Sequence, residues 1–167
     1  MSIVKLRAME PEDLDFLYNM ENDHEVWNVG NTNVPYSRYV LHDYIANATN
    51  DIYHDGQVRL IVENEEGKTV GMADVFDFNA QHRRAEISIV INRNYRQRGY
   101  AEAAITQIAE YSRRTLHLFQ LYAIVAENNN PSLRLFEKTG FKHAATLEKW
   151  LFDGEKYANA IFFQRFL

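Results

Sequence analysis

Polar and apolar residues alternate over residues 2–7, the two-residue period of a short strand, and the period then lengthens to that of a helix. Glu10-Pro11-Glu12-Asp13 puts a proline and three acids in the first turn of a helix predicted from about residue 11 to 21, with Leu14, Leu17 and Tyr18 on one face. A second helical pattern runs from Tyr36 or Ser37 through Tyr39, Val40, Tyr44 and Ile45. The mostly polar stretch between, Asp23 to Pro35, reads as loop. From residue 57 strand periodicity returns. Val58, Leu60 and Val62 alternate, Glu65-Glu66-Gly67 turns the chain, and Val70 to Phe78 answers as the second arm of a hairpin. A third antiparallel strand follows at 83–92, then a turn and a helix to about 114. Next come an apolar strand at 121–125, a short helix from Pro131 to Lys138, and Gly140 as a left-handed helix cap. Two strands, about 141–151 and 156–165, close the chain around Asp153-Gly154, a short-range hairpin signal. The order β-α-α-β-β-β-α-β-α-β-β defines an α/β (α+β) fold, a mixed sheet of about seven strands with flanking helices.

Composition narrows this picture. A length of 167 residues fits one domain, 1–167, and prolines at 11, 35 and 131 mark no linker. No apolar run approaches the roughly 18 residues of a membrane span. Met1 to Arg7 lacks the apolar core of a signal peptide, and the absence of cysteine removes disulfides, thiol nucleophiles and Cys-based metal sites, so a cytoplasmic setting is expected. The six histidines have no i, i+4 pair and suggest no metal. A net charge of −5 disfavours a general nucleic-acid binder and suits a cationic small substrate, although mild acidity also serves solubility alone.

The chemistry concentrates at Arg96-Gln97-Arg98-Gly99-Tyr100-Ala101. The run Ala85 to Ile91 before it has the β-branched density of a buried strand, and after it Ala101, Ala104, Ile105, Ile108 and Ala109 line one helix face. At such a junction the first helical N–H groups lack partners and the macrodipole favours an anion, while a glycine lets a phosphate approach the main chain. Arg93, Arg96 and Arg98 add positive charge. The plainer reading is a turn with a solvated basic edge. A second junction, Asn128-Asn129-Asn130-Pro131-Ser132, offers an asparagine to an amide-rich ligand; alternatively it only starts a helix, with Asn130 as the cap.

Arg-x-x-Gly-x-Ala at 96–101, Asn129-x-x-Ser132 some thirty residues later and Lys138-Thr139-Gly140-Phe141 together resemble the GNAT superfamily of N-acetyltransferases over essentially the whole chain. His82-Arg83-Arg84-Ala85-Glu86, the hairpin from Glu148 to Gly154 and Asn159-Ala160-Ile161 are similar to the branch holding the spermidine and ribosomal-protein N-acetyltransferases. The resemblance implies a mostly antiparallel sheet and acetyl-CoA as cofactor, its pyrophosphate on the N–H groups of Gln97 to Ala101 beside Arg96 and Arg98. Its pantetheine would pair along Ile89, Val90 and Ile91 where the strands at 83–92 and 121–125 splay, with Asn129 on the other side. The acceptor would be a small polyamine-like amine or else a protein N-terminus, and the rival outside catalysis is an acyl-CoA-binding module.

An alkylamine of pKa near 10 is more than roughly 99% protonated at neutral pH, so a base is needed. Glu86, a carboxylate within an apolar strand, is the candidate; a salt bridge to Arg83 or Arg84 is the alternative. A strand N–H near Val90 would steady the oxyanion. Where the polyamine branch usually carries a tyrosine that protonates the departing thiolate, seven residues after the motif asparagine, this chain has Phe136. Ser132, Tyr100 or Tyr111 are the substitutes, and Phe136 itself suits core packing. Trp27, Tyr36, Tyr39 and Trp150 are candidates for an amine groove or for the core. That branch also often has an acidic run before its second helix, where this chain reads Gly30-Asn31-Thr32-Asn33-Val34-Pro35. The last strand, expected to lie exposed, would suit a homodimer.

Overall fold

The computed structural model describes residues 2–27 and 34–167. A seven-stranded sheet in the order β1-β2-β3-β4-β5-β7-β6 runs through it. Its strands are β1 (Val4–Ala8), β2 (Val58–Asn64), β3 (Thr69–Asn79), β4 (Arg84–Ile91), β5 (Gln120–Ala126), β6 (Lys142–Phe152) and β7 (Tyr157–Phe166). All neighbours are antiparallel except β4 and β5.

The long helices form where the periodicity places them: α1 (Leu14–Glu21), α3 (Arg38–Asn47), α5 (Tyr100–Arg114) and α6 (Asn130–Lys138). The first begins with a 3-10 turn at Pro11–Asp13, where Asp13 and Glu10 form a reciprocal capping box. Ser37 caps α3 by accepting the Val40 N–H. Two single-turn helices, α2 (His24–Trp27) and α4 (Ile52–Asp55), interrupt segments expected to be irregular, because four residues are too few to show a helical period.

The sheet separates two apolar clusters. On one face α5 and α6 bury Ala104, Ile105, Ile108 and Phe136 against Val75, Ala85, Ile87, Leu121 and Phe163. On the other, α1 and α3 bury Leu17, Met20 and Leu41 on Ile61 and Met72. Alternation along β4 sends Ala85, Ile87 and Ile91 into the first cluster and leaves Glu86, Ser88 and Val90 on the second face. The last strand is not an edge: β7 lies between β5 and β6, and the outer strand is β6, whose residues are nearly all exposed. Either arm of the closing hairpin could have joined β5, and Phe163, fully buried from β7, takes that place. No helix among the described residues is long and apolar enough to cross a membrane.

Candidate active site

Strands β4 and β5 pair through only three rungs, Arg84 with Gln120, Ala85 with Leu121 and Glu86 with Tyr122, and then part. Past that point β5 stays zipped to β7 as far as Ala126 and Ala160, while β4 stays with β3 up to Ile91 and Gly71. A cleft therefore opens between Ile87–Ile91 and Ala123–Ala126, with Glu86 at its closed end. The Asn92 N–H donates to Val70 O at 2.9 Å. By antiparallel alternation the main chains of Val90 and Ser88 also face β3, while those of Ile87, Ile89 and Ile91 face the cleft. Consistently, the Ile91 carbonyl accepts the Arg96 guanidinium at 3.1 Å. A Cβ on Gly71 would lie 2.5 Å from the Val90 oxygen, which is turned toward β3. Of the expected Ile89, Val90 and Ile91, the outer two thus offer main-chain groups to the cleft. Val90 turns its main chain to β3 and packs its side chain on the second cluster, so the N–H groups near it that face the cleft are those of Ile89 and Ile91.

At the end of β4 the chain makes a 3-10 turn, Arg93–Tyr95, and reaches α5 through two left-handed residues, Gln97 at φ 62° and Gly99 at φ 80°. A non-glycine residue held there is a local strain of the kind found at binding turns. Gly99 is the N-cap of α5 and has no side chain to satisfy the helix's first N–H groups. A Cβ at Gly99 would meet only Ile3 Cδ1, at 3.5 Å, so the protein leaves the space above the turn open. These features fit a pyrophosphate. The arginines are less free than the sequence suggests. Arg93 donates to Asp23 at 2.8 Å, Arg96 lies 3.7 Å from Glu25, and Arg98 sits 5.5 Å over the Tyr95 ring. The Tyr100 side chain is buried in the core, so residues 100 and 101 present main-chain N–H groups.

Across the cleft Asn129, not Asn130, caps α6: its side-chain oxygen accepts the Ser132 N–H at 3.3 Å. The cap shifts by one because Asn130 and Pro131 already lie within the helix. The Asn129 amide NH2 remains to donate. Ser132 is half-buried beside it. Phe136 is 4% exposed, edge-on to Phe141 at 5.1 Å and stacked near Phe163 at 5.9 Å, a core ring with no oxygen to give. Tyr111 packs against the same core, where burial pushes its hydroxyl pKa up.

Glu86 is half-buried and forms no ion pair among the described residues; Arg83 instead donates to the His117 carbonyl at 2.7 Å. Burial, with the charge of Asp77 second, pushes the Glu86 carboxyl up to about 7. Sequence reasoning missed its two neighbours. The Tyr122 hydroxyl donates to Asp77, and Tyr122 stacks on Phe162 at 5.1 Å. Farther along the same face Arg59 binds both Asp74, at 2.7 Å, and Glu21, and the Ser88 hydroxyl reaches Asp74 at 3.5 Å. Glu21, Asp74, Asp77 and Glu86 thus lie on this side of the sheet, the first two held by Arg59, with Arg84 beside Glu86 on β4. Of the proposed groove aromatics, Tyr36 packs on the second cluster, whereas Tyr39 and Trp150 are exposed and belong to no core; the side chain of Trp27 lies outside the described residues.

A sheet parted beside a phosphate-fitting turn, with a carboxylate at its closed end, defines an acyl-CoA-dependent transferase. The chain belongs to the GNAT acetyltransferase family, whose domain model matches residues 4–142, and the cofactor is acetyl-CoA. The chain is 31% identical to the spermidine N(1)-acetyltransferase of Escherichia coli K12, over 95% of this chain and 83% of that protein. The spermidine N-acetyltransferase of Vibrio cholerae, solved with CoA and spermine, superposes with a TM-score of 0.86 at 26% identity, covering 98% of this chain and 95% of that one. A dodecameric structure of the same enzyme gives 0.81 at 27% identity, covering 98% and 94%. Nothing among these relatives favours a protein N-terminus as acceptor.

Proposed function

We propose that the chain acetylates a primary amine of a polyamine by direct attack in a ternary complex, with Glu86 as base. The observation that carries this reading is Glu86 itself, at the closed end of the cleft with no ion pair among the described residues and its carboxyl pushed up to about 7. A base is most effective when its pKa lies near the working pH. The acidic face of Glu21, Asp74, Asp77 and Glu86 suits a polycation, and the relatives named above are spermidine acetyltransferases.

The N–H groups of Gln97 to Ala101 would hold the pyrophosphate, and Ile89, Ile91 and Asn129 the pantetheine amides. When bound, acetyl-CoA supplies an activated thioester carbonyl. Glu86 takes the proton from the acceptor ammonium, directly or through one water, and the neutral amine attacks. The cleft-facing N–H groups of β4 steady the developing oxyanion. Ser132, beside Asn129, would relay the second proton, which the attacking nitrogen sheds, to the departing sulfur, so that CoA leaves as its thiol and the serine hydroxyl is restored. With no cysteine in the chain, no thioester to the enzyme forms.

The test is thiol release from acetyl-CoA by the purified protein, with spermidine, spermine, simple amines and N-terminal peptides as acceptors. Polyamines should turn over fastest. The rate should rise with pH through about 7, because only the ionised carboxylate accepts the proton, and Glu86→Gln should lose that limb. Turnover of peptides alone, or of no acceptor, would refute the reading.

We also infer self-association. The outer strand β6 exposes Trp150 and Phe152 beside Tyr157, each more than half accessible, and the Vibrio cholerae relative is dodecameric.

A further inference from the structure

The β3–β4 register runs unbroken from Gly71 with Ile91 to Phe76 with Glu86 and resumes only at Asn79 with Arg84. Two residues of β3, Asp77 and Phe78, therefore stand against Ala85 alone. The bulge holds Asp77 in the left-handed region, φ 48°, and bulges of this kind re-aim a side chain. Here the Asp77 carboxylate accepts the hydroxyl of Tyr122. Asp77 is on β3 and Tyr122 on β5, so the bond spans β4, and the rung it spans is the one that carries Glu86. Tyr122 is 8% exposed and is itself fixed by its stack on Phe162.

We propose that Asp77, held over β4 by the Tyr122 hydroxyl, is a positioning residue that tunes Glu86 as the base through its negative charge. The proposal rests on Glu86 having that role. A like charge beside a carboxylate disfavours its ionised form, adding to the cost of burial. Both effects act on Glu86, burial the larger. The other groups facing it do not cancel them. From β3 its direct neighbour is Phe76, and Asp74 is engaged by Arg59. From β5 comes Tyr122, whose proton is committed to Asp77. On β4 itself the flanking residues of this face are Arg84, whose charge acts on Tyr122, and neutral Ser88. A stronger base results, better matched to an alkylammonium than an ordinary glutamate would be.

The experiment is the pH profile of kcat/KM for spermidine, from pH 5 to 9, for the full chain and for Asp77→Asn, Tyr122→Phe and Glu86→Gln. Asparagine tolerates left-handed backbone, so Asp77→Asn should fold normally, checked by an unchanged KM for acetyl-CoA. Removing the charge lets Glu86 ionise earlier, and the acidic limb should move to lower pH by roughly half a unit or more. Tyr122→Phe frees Asp77 into solvent and should move the limb the same way by less. A Glu86→Gln variant that keeps the wild-type limb removes Glu86 as base, and with it the reading beneath this proposal. A Glu86→Gln variant without the limb, together with an Asp77→Asn limb at the wild-type pH, overturns the role of Asp77 alone.

Discussion

Phe136 is the residue at which local packing and catalytic expectation part. Its ring fills the space between Phe141 and Phe163, which explains its presence without any appeal to chemistry. The cost is the absent hydroxyl, and its size follows from the leaving group: a thiol of pKa near 8.5 departs tolerably as its anion, so an acid adds less than the hundredfold or more that proton transfer gives elsewhere. Phe136→Tyr should therefore raise kcat with spermidine by about tenfold or less and leave the KM for acetyl-CoA unchanged. Steady-state rates at pH 7 decide this, and an unchanged or lower kcat would show that position 136 does not reach the sulfur. Glu86 was legible in the sequence because a carboxylate inside Ala85-Glu86-Ile87-Ser88-Ile89 breaks an apolar run. Asp77 and Tyr122 were not, since their meeting depends on a bulge and on strand order.

Among the elements, the parting of β4 from β5 depends on how tightly β4 is held on its other side. Gly71 sets that distance: an added Cβ would press on the Val90 oxygen at 2.5 Å and on Ile91 Cα at 3.2 Å, where main chain has no rotamer to change. Gly71→Ala should then destabilise the protein by about 2–3 kcal/mol, the upper range for overpacking, as read by urea denaturation. Because the clash falls on the cleft strand, CoA affinity should fall too, and a variant with wild-type stability and affinity would refute this account. The helices and strands themselves could be read from period alone, since α1, α3, α5 and α6 each present an apolar face and β2 to β5 each alternate or run apolar. One-turn helices such as Ile52–Asp55 carry no such signal. The turn proposed for the pyrophosphate was legible as a candidate for another reason: Gly99 and its helix lie in one continuous stretch, so the feature needs no tertiary contact to be noticed.

For the whole molecule, charge and apolar surface act in opposite directions. Each copy carries a net charge of −5, which keeps copies apart in dilute salt. Yet β6 leaves Trp150 at 58% and Phe152 at 59% exposure on an outer strand whose edge N–H and C=O groups have no β partner among the described residues, a surface that proteins ordinarily cover. Burying these rings against a second copy gains about 25 cal/mol per Å² of apolar area, and rings of this size dominate such interfaces. Salt screens the repulsion without weakening the apolar term, so assembly should tighten as ionic strength rises. Light scattering behind gel filtration should accordingly give a multiple of the 19.6 kDa chain, growing between roughly 0.05 and 0.5 M NaCl as the Debye length shortens. Trp150→Glu with Phe152→Lys should return it to the single-chain mass at every salt concentration while leaving CoA binding intact, because β6 lies two strands from the cleft wall of β5. A wild-type protein that remains at 19.6 kDa throughout would mean that β6 is an edge that the chain tolerates bare.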